Sequence, residues 1–183
     1  MYPVSYSSPR LALRELTTDD VDPVHAIYGD PDATRHLSFE PRTRDQVAQL
    51  ITRTVESATT TPRSEYGLAV IRRADSELIG FARLATEPQQ AATIGFALRP
   101  DTWGTGYGTE TVRALLSLGF DTLKLHRIWA ARSPANDASA KVLLRVGLTE
   151  EGRIRHHVHV RGQWRDSITY SILEDEWRTP TAP

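Results

Sequence analysis

The stretch from Ile94 to Ala131 constrains the fold more than any other part of the chain. An apolar run, Ile94-Gly95-Phe96-Ala97-Leu98, leads into Trp103-Gly104-Thr105-Gly106-Tyr107-Gly108, where glycine recurs at every second position. Val112, Leu115, Leu116 and Gly119 follow at helical spacing, and His126 to Ala131 reads as another strand. The order is strand, glycine turn, helix, strand. Glycine removes the Cβ from an approach path, so the backbone at this turn is expected to come close to something.

The flanking sequence supplies the other layers. Leu11-Ala12-Leu13-Arg14 alternates like a strand, and Thr18 is placed to cap a helix carrying Val21, Val24, Ile27 and Tyr28, with Pro23 tolerated in its first turns. Gly29 to Asp32 ends that helix and a polar loop runs to Thr43. Thr43-Arg44-Asp45-Gln46 fits a capping box, followed by Val47, Leu50, Ile51 and Val55 on one stripe. After a Thr-rich loop from Ser57 to Ser64, Leu68–Ile71 and Leu78–Ala82 flank a turn and predict an antiparallel hairpin, with the next strand at Ala92 to Leu98. Asn136 introduces a short helix with Val142, Leu143 and Val146, stopped by Gly147. Gly152 to Leu173 alternates in two pieces about Arg161-Gly162, and residues from Thr179 onward are expected to fray. The sum is a single α/β domain of the α+β type over residues 1–183, ordered from about residue 9 to 178, with a mixed sheet and helices on both faces.

Composition narrows the function classes. The chain has 183 residues and no cysteine, which excludes a disulfide framework, thiolate metal sites and an acyl-cysteine intermediate. No apolar run approaches the ~18 residues of a membrane span, and no basic-then-apolar leader is visible at Met1 to Val4, so no membrane partner and a cytoplasmic address are expected. Net charge is −1, yet residues 99–165 carry eleven Lys and Arg against six Asp and Glu, a block of +5 against −6 elsewhere. That block could hold the phosphates of a cofactor or of RNA, or be a solvated basic face.

Two phosphate-binding patterns are tested by the glycines. The Walker pattern ends in Gly-Lys-Ser/Thr, whereas Gly108-Thr109-Glu110 has no lysine; the dinucleotide fingerprint requires a third glycine at position 109, which is Thr. What remains is a row of backbone N–H groups at the positive end of a helix dipole, sufficient for a pyrophosphate. Glu110 would oppose an anion there unless it points away. The competing account is a tight turn that needs glycine for geometry alone.

Asn136 and Ser139, three residues apart, share a helical face. Ser139 lies close to the Val142, Leu143, Val146 stripe. Either the pair is functional, or Asn136 caps the helix and the Ser139 hydroxyl bonds a carbonyl one turn back.

With these pieces in order, the sequence resembles the GNAT superfamily of acyl-CoA N-acyltransferases, and within it the ribosomal-protein (RimJ/RimL-like) branch. The resemblance rests on Leu11 to Thr18 with Asp20, Glu77-Leu78-Ile79-Gly80, Ile94 to Leu98, Trp103 to Glu110, Asn136-x-x-Ser139, Gly147-Leu148 with Glu151-Gly152, and Gly162 with Asp166 and Tyr170. It implies a mostly antiparallel sheet splayed near its centre with acetyl-CoA wedged in the opening. The backbone of Phe96, Ala97 and Leu98 would pair with the pantetheine arm. Trp103 and the segment Gly104, Thr105, Gly106, Tyr107, Gly108 and Thr109 would take the pyrophosphate. Asn136 would contact pantetheine and Ser139 would sit near the sulfur.

The implied chemistry is direct attack of a primary amine on the thioester in a ternary complex. A backbone N–H of the splayed strand would hold the oxyanion, and Ser139 would protonate the departing thiolate. Many relatives have Glu where this chain has Thr93, so a commonly used base is missing. A lysine amine with pKa ~10.4 is only about one part in a few thousand neutral at pH 7, whereas an α-amine at ~7.8 is more than about a tenth neutral. The acceptor is therefore expected to be a protein N-terminus or a small molecule with a low-pKa amine. His157 and His159, on one strand face by period two with His156 on the other, are the fallback base. Tyr28, Phe39, His157 and Trp164 would wall the acceptor pocket unless the aromatics are core. No metal or nucleic acid is expected, and the protein would be a monomer or homodimer. The alternatives are an antibiotic-modifying or biosynthetic acyltransferase with another acyl donor, a non-catalytic CoA-binding regulator, and an RNA-binding role for the basic block.

Overall fold

A computed structural model describes residues 2–178. The expected fraying from Thr179 falls outside the described residues. Eight strands form one sheet: β1 (Ser5–Ser7), β2 (Leu11–Glu15), β3 (Glu65–Arg72), β4 (Glu77–Glu87), β5 (Ala91–Leu98), β6 (Arg127–Arg132), β7 (Thr149–Val160) and β8 (Gln163–Leu173). Their spatial order is β1-β2-β3-β4-β5-β6-β8-β7. Neighbours are antiparallel except β5 and β6, which run parallel and are joined through a crossover helix, as parallel neighbours must be.

The helices are α1 (Val21–Tyr28), α2 (Pro31–Thr34), α3 (Arg44–Ala58), α4 (Tyr107–Ser117), α5 (Asp137–Arg145) and α6 (Glu174–Arg178). They cover both faces. Val112, Leu115 and Leu116 of α4 and Leu143 of α5 pack with Leu68, Val70, Leu84, Ala92, Ile94 and Leu98 on one side. On the other, Val24, Ile27 and Tyr28 of α1 and Val47 and Ile51 of α3 pack with Ala69, Leu78, Phe81 and Ala97. Alternate residues of β5 thus serve opposite cores, as a period of two requires. Among the described residues no helix is long and apolar enough to cross a membrane.

Several local expectations change. The turn before α1 is closed by Thr17, not Thr18: the Thr17 N–H donates to the Asp20 carboxylate at 2.8 Å, and Arg14 holds that carboxylate with two bonds of 2.7 and 2.8 Å. Inside the expected polar loop, Asp30 accepts from the N–H groups of Asp32 and Ala33 at 2.8 Å and starts the short helix α2, with Pro31 at its first position. A short first strand precedes residue 9: β1 pairs with β2, and Val4 is buried. The period-two reading of the histidines fails at a bulge between Ile154 and Val158, where His156 has φ +49°. His156 and His159 accordingly both meet the Trp164 ring, with centroids at 6.3 and 5.1 Å.

Candidate active site

The sheet parts at its parallel pair. β5 and β6 are in register only for Ala91 with Arg127, Ala92 with Ile128 and Thr93 with Trp129. Beyond that rung each strand keeps its outer partner, β5 through Leu98 on β4 and β6 through Arg132 on β8. The inner edges of residues 94–98 and 130–132 are therefore unpaired with each other, and Phe96 and Ala97 lie on this stretch.

The glycine turn stands at the mouth of the gap. Gly104 and Gly106 have φ +77° and +89°, conformations that cost other residues strain. Gly108 is needed for another reason: a Cβ there would lie 3.3 Å from Val142 Cγ2 and 3.4 Å from the Phe96 ring. Trp103, half exposed, donates its indole N–H to the Leu98 carbonyl at 2.9 Å and ties the turn to the end of β5. The Thr105 hydroxyl donates to the Thr102 carbonyl at 2.6 Å. The first helical bond across the turn is Glu110 N–H to the Gly106 carbonyl at 3.2 Å, and no amide of residues 104–109 donates to another described residue. These six N–H groups include the orphan donors of a helix start, aligned with the dipole.

Glu110 does point away from that row. Its carboxylate accepts from the Arg10 N–H at 3.1 Å, from Arg10 Nε at 2.8 Å and from the Ser8 hydroxyl. Burial pushes its carboxyl up, but these bonds together outweigh it and hold Glu110 below the ordinary glutamate range. Arg10 also donates to the Thr105 carbonyl at 2.9 Å and lies over the Tyr107 ring at 4.7 Å. A cavity of about 440 Å³ beside the turn is lined by Arg10, Arg113 and Arg145 among others, so the acidic residue is neutralised and the surroundings are cationic.

On the far side of the gap, Asn136 caps α5 by accepting from the Ser139 N–H at 3.1 Å. The Ser139 hydroxyl, half-buried, makes no hydrogen bond to another described residue, so only half of the purely structural account applies. The loop carrying these residues is anchored from below. Arg132 donates to the Ser133 and Pro134 carbonyls at 3.1 and 2.9 Å and to the Tyr170 hydroxyl at 3.0 Å, which in turn donates to Glu150 at 2.6 Å.

Thr93 occupies the last rung before the strands part, and it is not alone. Its hydroxyl donates to Glu87 Oε1 at 2.7 Å, while the Trp129 indole donates to Glu87 Oε2 at 2.9 Å. Glu87 was missed in the sequence because β4 reads as ending at Ala82. The strand runs on to Glu87, with Gln89 and Gln90 at positive φ making the return. The register of that hairpin, Ala85 opposite Thr93 and Glu87 opposite Ala91, puts Glu87 and Thr93 on one face.

The four expected acceptor residues are not gathered into one wall. Tyr28 is buried, packed on Phe39 and Phe81 at 4.9 and 5.4 Å, and burial pushes its phenol well above the ordinary range. Phe39 is partly buried beneath Arg42 at 4.3 Å. His157 and Trp164 are exposed on the β7–β8 hairpin. The hairpin nevertheless closes over the loop after α1: Arg161 donates to the Thr34 and Arg35 carbonyls at 3.2 and 3.3 Å, and Arg165 to those of His36 and Leu37 at 3.1 Å. Burial and then Arg35, Arg165 and Arg161 lower the His36 pKa, a sign of positive potential at this rim.

A sheet opened between two parallel strands, with a glycine turn feeding a helix N-terminus at the opening, defines an acyl-transfer scaffold when set beside known proteins. Residues 10–149 match the acetyltransferase (GNAT) domain model. The uncharacterized N-acetyltransferase YoaA of Bacillus subtilis is 30% identical over 179 residues, 95% of this chain and 98% of its own. The Escherichia coli [ribosomal protein uS5]-alanine N-acetyltransferase is 27% identical over 106 residues, 56% of this chain and 55% of its own. The structure of Mycobacterium smegmatis RimJ in complex with CoA-disulfide shares the fold with a TM-score of 0.84 at 21% identity, over 97% of this chain and 91% of that one. The chain belongs to the GNAT acetyltransferase domain family and is an acetyltransferase.

Proposed function

We propose that the protein transfers the acetyl group of acetyl-CoA to a primary amine by direct attack in a ternary complex, in the manner of the ribosomal-protein branch. The observation that carries this reading is the set of six undonated amides of residues 104–109 at the start of α4, beside the parted edge of β5. The residues present fit the donor. A diphosphate suits those N–H groups and the cationic cavity of Arg10, Arg113 and Arg145, and an extended amide-bearing arm suits the open backbone of Phe96 to Leu98. Asn136 and Ser139 line the opposite side, with Ser139 free to give a hydrogen bond to a leaving sulfur. When bound, acetyl-CoA supplies the activated acyl carbon; the chain positions it, excludes water and handles protons.

The acceptor is an α-amine, of a protein N-terminus or an amino-acid-like small molecule. Two arguments support it. An α-amine is far less protonated at neutral pH than a lysine or polyamine nitrogen. The rim formed by Arg161 and Arg165 over the 34–37 loop disfavours polycations and suits an acceptor with a nearby carboxylate or peptide carbonyl. The argument from a missing carboxylate at position 93 loses force, since Glu87 stands against Thr93. Release of free thiol from acetyl-CoA, followed with peptides, amino acids, polyamines and aminoglycosides, tests the proposal. The expected order puts α-amines first. Equal or higher catalytic efficiency on lysine side chains or polyamines would refute the acceptor class, and no turnover with any amine would refute the function.

A further inference from the structure

We propose that Glu87 is the terminal base of the reaction and that Thr93 passes the proton to it. The inference rests on the acetyl-transfer reading above and deepens it. Thr93 sits at the last β5–β6 rung, so its side chain is at the vertex where the strands part. Thr93, Gly95 and Ala97 alternate onto the sheet face covered by α1 and α3, opposite the face that packs on α4. An acyl donor held by the α4 turn and by the unpaired edge of β5 would have its reacting end near this vertex, within reach of an amine on that face.

A threonine hydroxyl is a poor base by itself. Here it donates at 2.7 Å to a carboxylate oxygen, which leaves its own lone pairs directed elsewhere, and the second carboxylate oxygen is fixed by the Trp129 indole at 2.9 Å. Trp129 is Thr93's partner across the rung, so strands β4, β5 and β6 each contribute one member of the constellation. The half-buried Glu87 carboxylate is hydrogen-bonded by two neutral donors, and the Arg83 charge acts on it only through space, without a hydrogen bond. Arg83, on the same strand, is committed to Glu65 at 2.8 and 3.1 Å.

The step balances as follows. Thr93 Oγ1 takes one proton from the acceptor ammonium as its own hydroxyl proton moves to Glu87 Oε1. The freed nitrogen pair forms the C–N bond, the C–S bond breaks with its electron pair going to sulfur, and the second proton lost by nitrogen as the amide forms ends on that sulfur. Glu87 then returns its proton to solvent. Thr93 is the residue that touches the acceptor and Glu87 the sink behind it.

The test compares Glu87→Gln, Thr93→Val, Thr93→Ser and the double variant Glu87→Gln/Thr93→Glu in the thiol-release assay, with CoA affinity and melting temperature measured for each. Glu87→Gln and Thr93→Val should lower kcat by about 100- to 10,000-fold while CoA affinity holds, because a general base is worth that much. Thr93→Ser should retain activity, and Thr93→Glu should restore turnover lost in Glu87→Gln. The relay is overturned if Glu87→Gln stays within about threefold of the parent kcat, or if Thr93→Val, near-isosteric and expected to fold, equals Thr93→Ser. The parent enzyme is the internal reference: absence of its own turnover refutes the acetyl-transfer reading, whereas parent turnover with unaffected variants refutes the relay alone.

Discussion

Gly104→Ala separates the two possible reasons for the first glycine of the turn. At φ +77° an L-residue is strained by about 1–2 kcal/mol, and a methyl there meets nothing within 4 Å, so strain is the whole protein-only cost. For a chain of this length that lowers the melting temperature by about 2–8 °C. If the residue 104–109 amides grip a diphosphate, the methyl also intrudes on the approach path and displaces at least one bond to a charged group, worth about 1.5–3 kcal/mol. CoA affinity should then fall about 10- to 150-fold, since each 1.4 kcal/mol is tenfold. Gly162→Ala is the matched control: φ +70°, open space around its Cβ, and a place in the β7–β8 turn far from the glycine row. Calorimetric titration with CoA and thermal melts of both variants give the answer. Equal losses of stability with unchanged affinity in both would mean that Gly104 serves the turn geometry alone, and the anion-cradle argument would fall.

Three further outcomes are expected. Glu110 has a lowered folded-state pKa, so its stabilisation is present above the ordinary glutamate value near about 4.3 and is lost as pH falls through the folded value. Glu110→Gln should cost about 0.5–1 kcal/mol at pH 7, given the half-exposed Arg10 partner, and nothing at a pH below the folded value; urea unfolding across pH checks this. Arg63→Ala leaves the buried Glu15 carboxylate, now bonded at 2.7 and 2.9 Å, without its guanidinium, and should cost about 3–5 kcal/mol in the same assay. The Arg161→Ala/Arg165→Ala double variant removes the four side-chain bonds from the hairpin to residues 34–37 and leaves only the Arg161 N–H bond to Glu40. It should raise the acceptor KM about tenfold while leaving CoA affinity unchanged, a split that steady-state kinetics and titration resolve.

Helices α3 and α4 and the central strands were legible because each carries a regular apolar period, as in Val47, Ile51 and Val55 of α3 or Leu68 and Val70 of β3. The glycine row was legible as a backbone site, though not its division of labour: Gly104 and Gly106 answer to backbone conformation, Gly108 to the close approach of Phe96 and Val142. Short elements escaped. β1 is three residues long, and α2 depends on one Asp30 cap inside a polar run with no apolar stripe. The bulge at residues 154–158 broke an alternation that looked sound for the histidines. Glu87 illustrates the largest gap. Its partners Thr93 and Trp129 are six and forty-two positions away, brought together by register across three strands, and pairing register is not written in any single segment.

The placement of β8 between β6 and β7 has a consequence for biosynthesis. Strands β2 to β5 each pair with the strand made just before. β6, by contrast, has three rungs on β5 and six on β8, so its main support arrives only with the last strand made. A nascent chain halted before Gln163 lacks the strand that carries six of the nine rungs on β6, and so lacks the support of the cleft's far wall. The cleft thus depends on a strand made last, at the far end of the chain from the residues that open it.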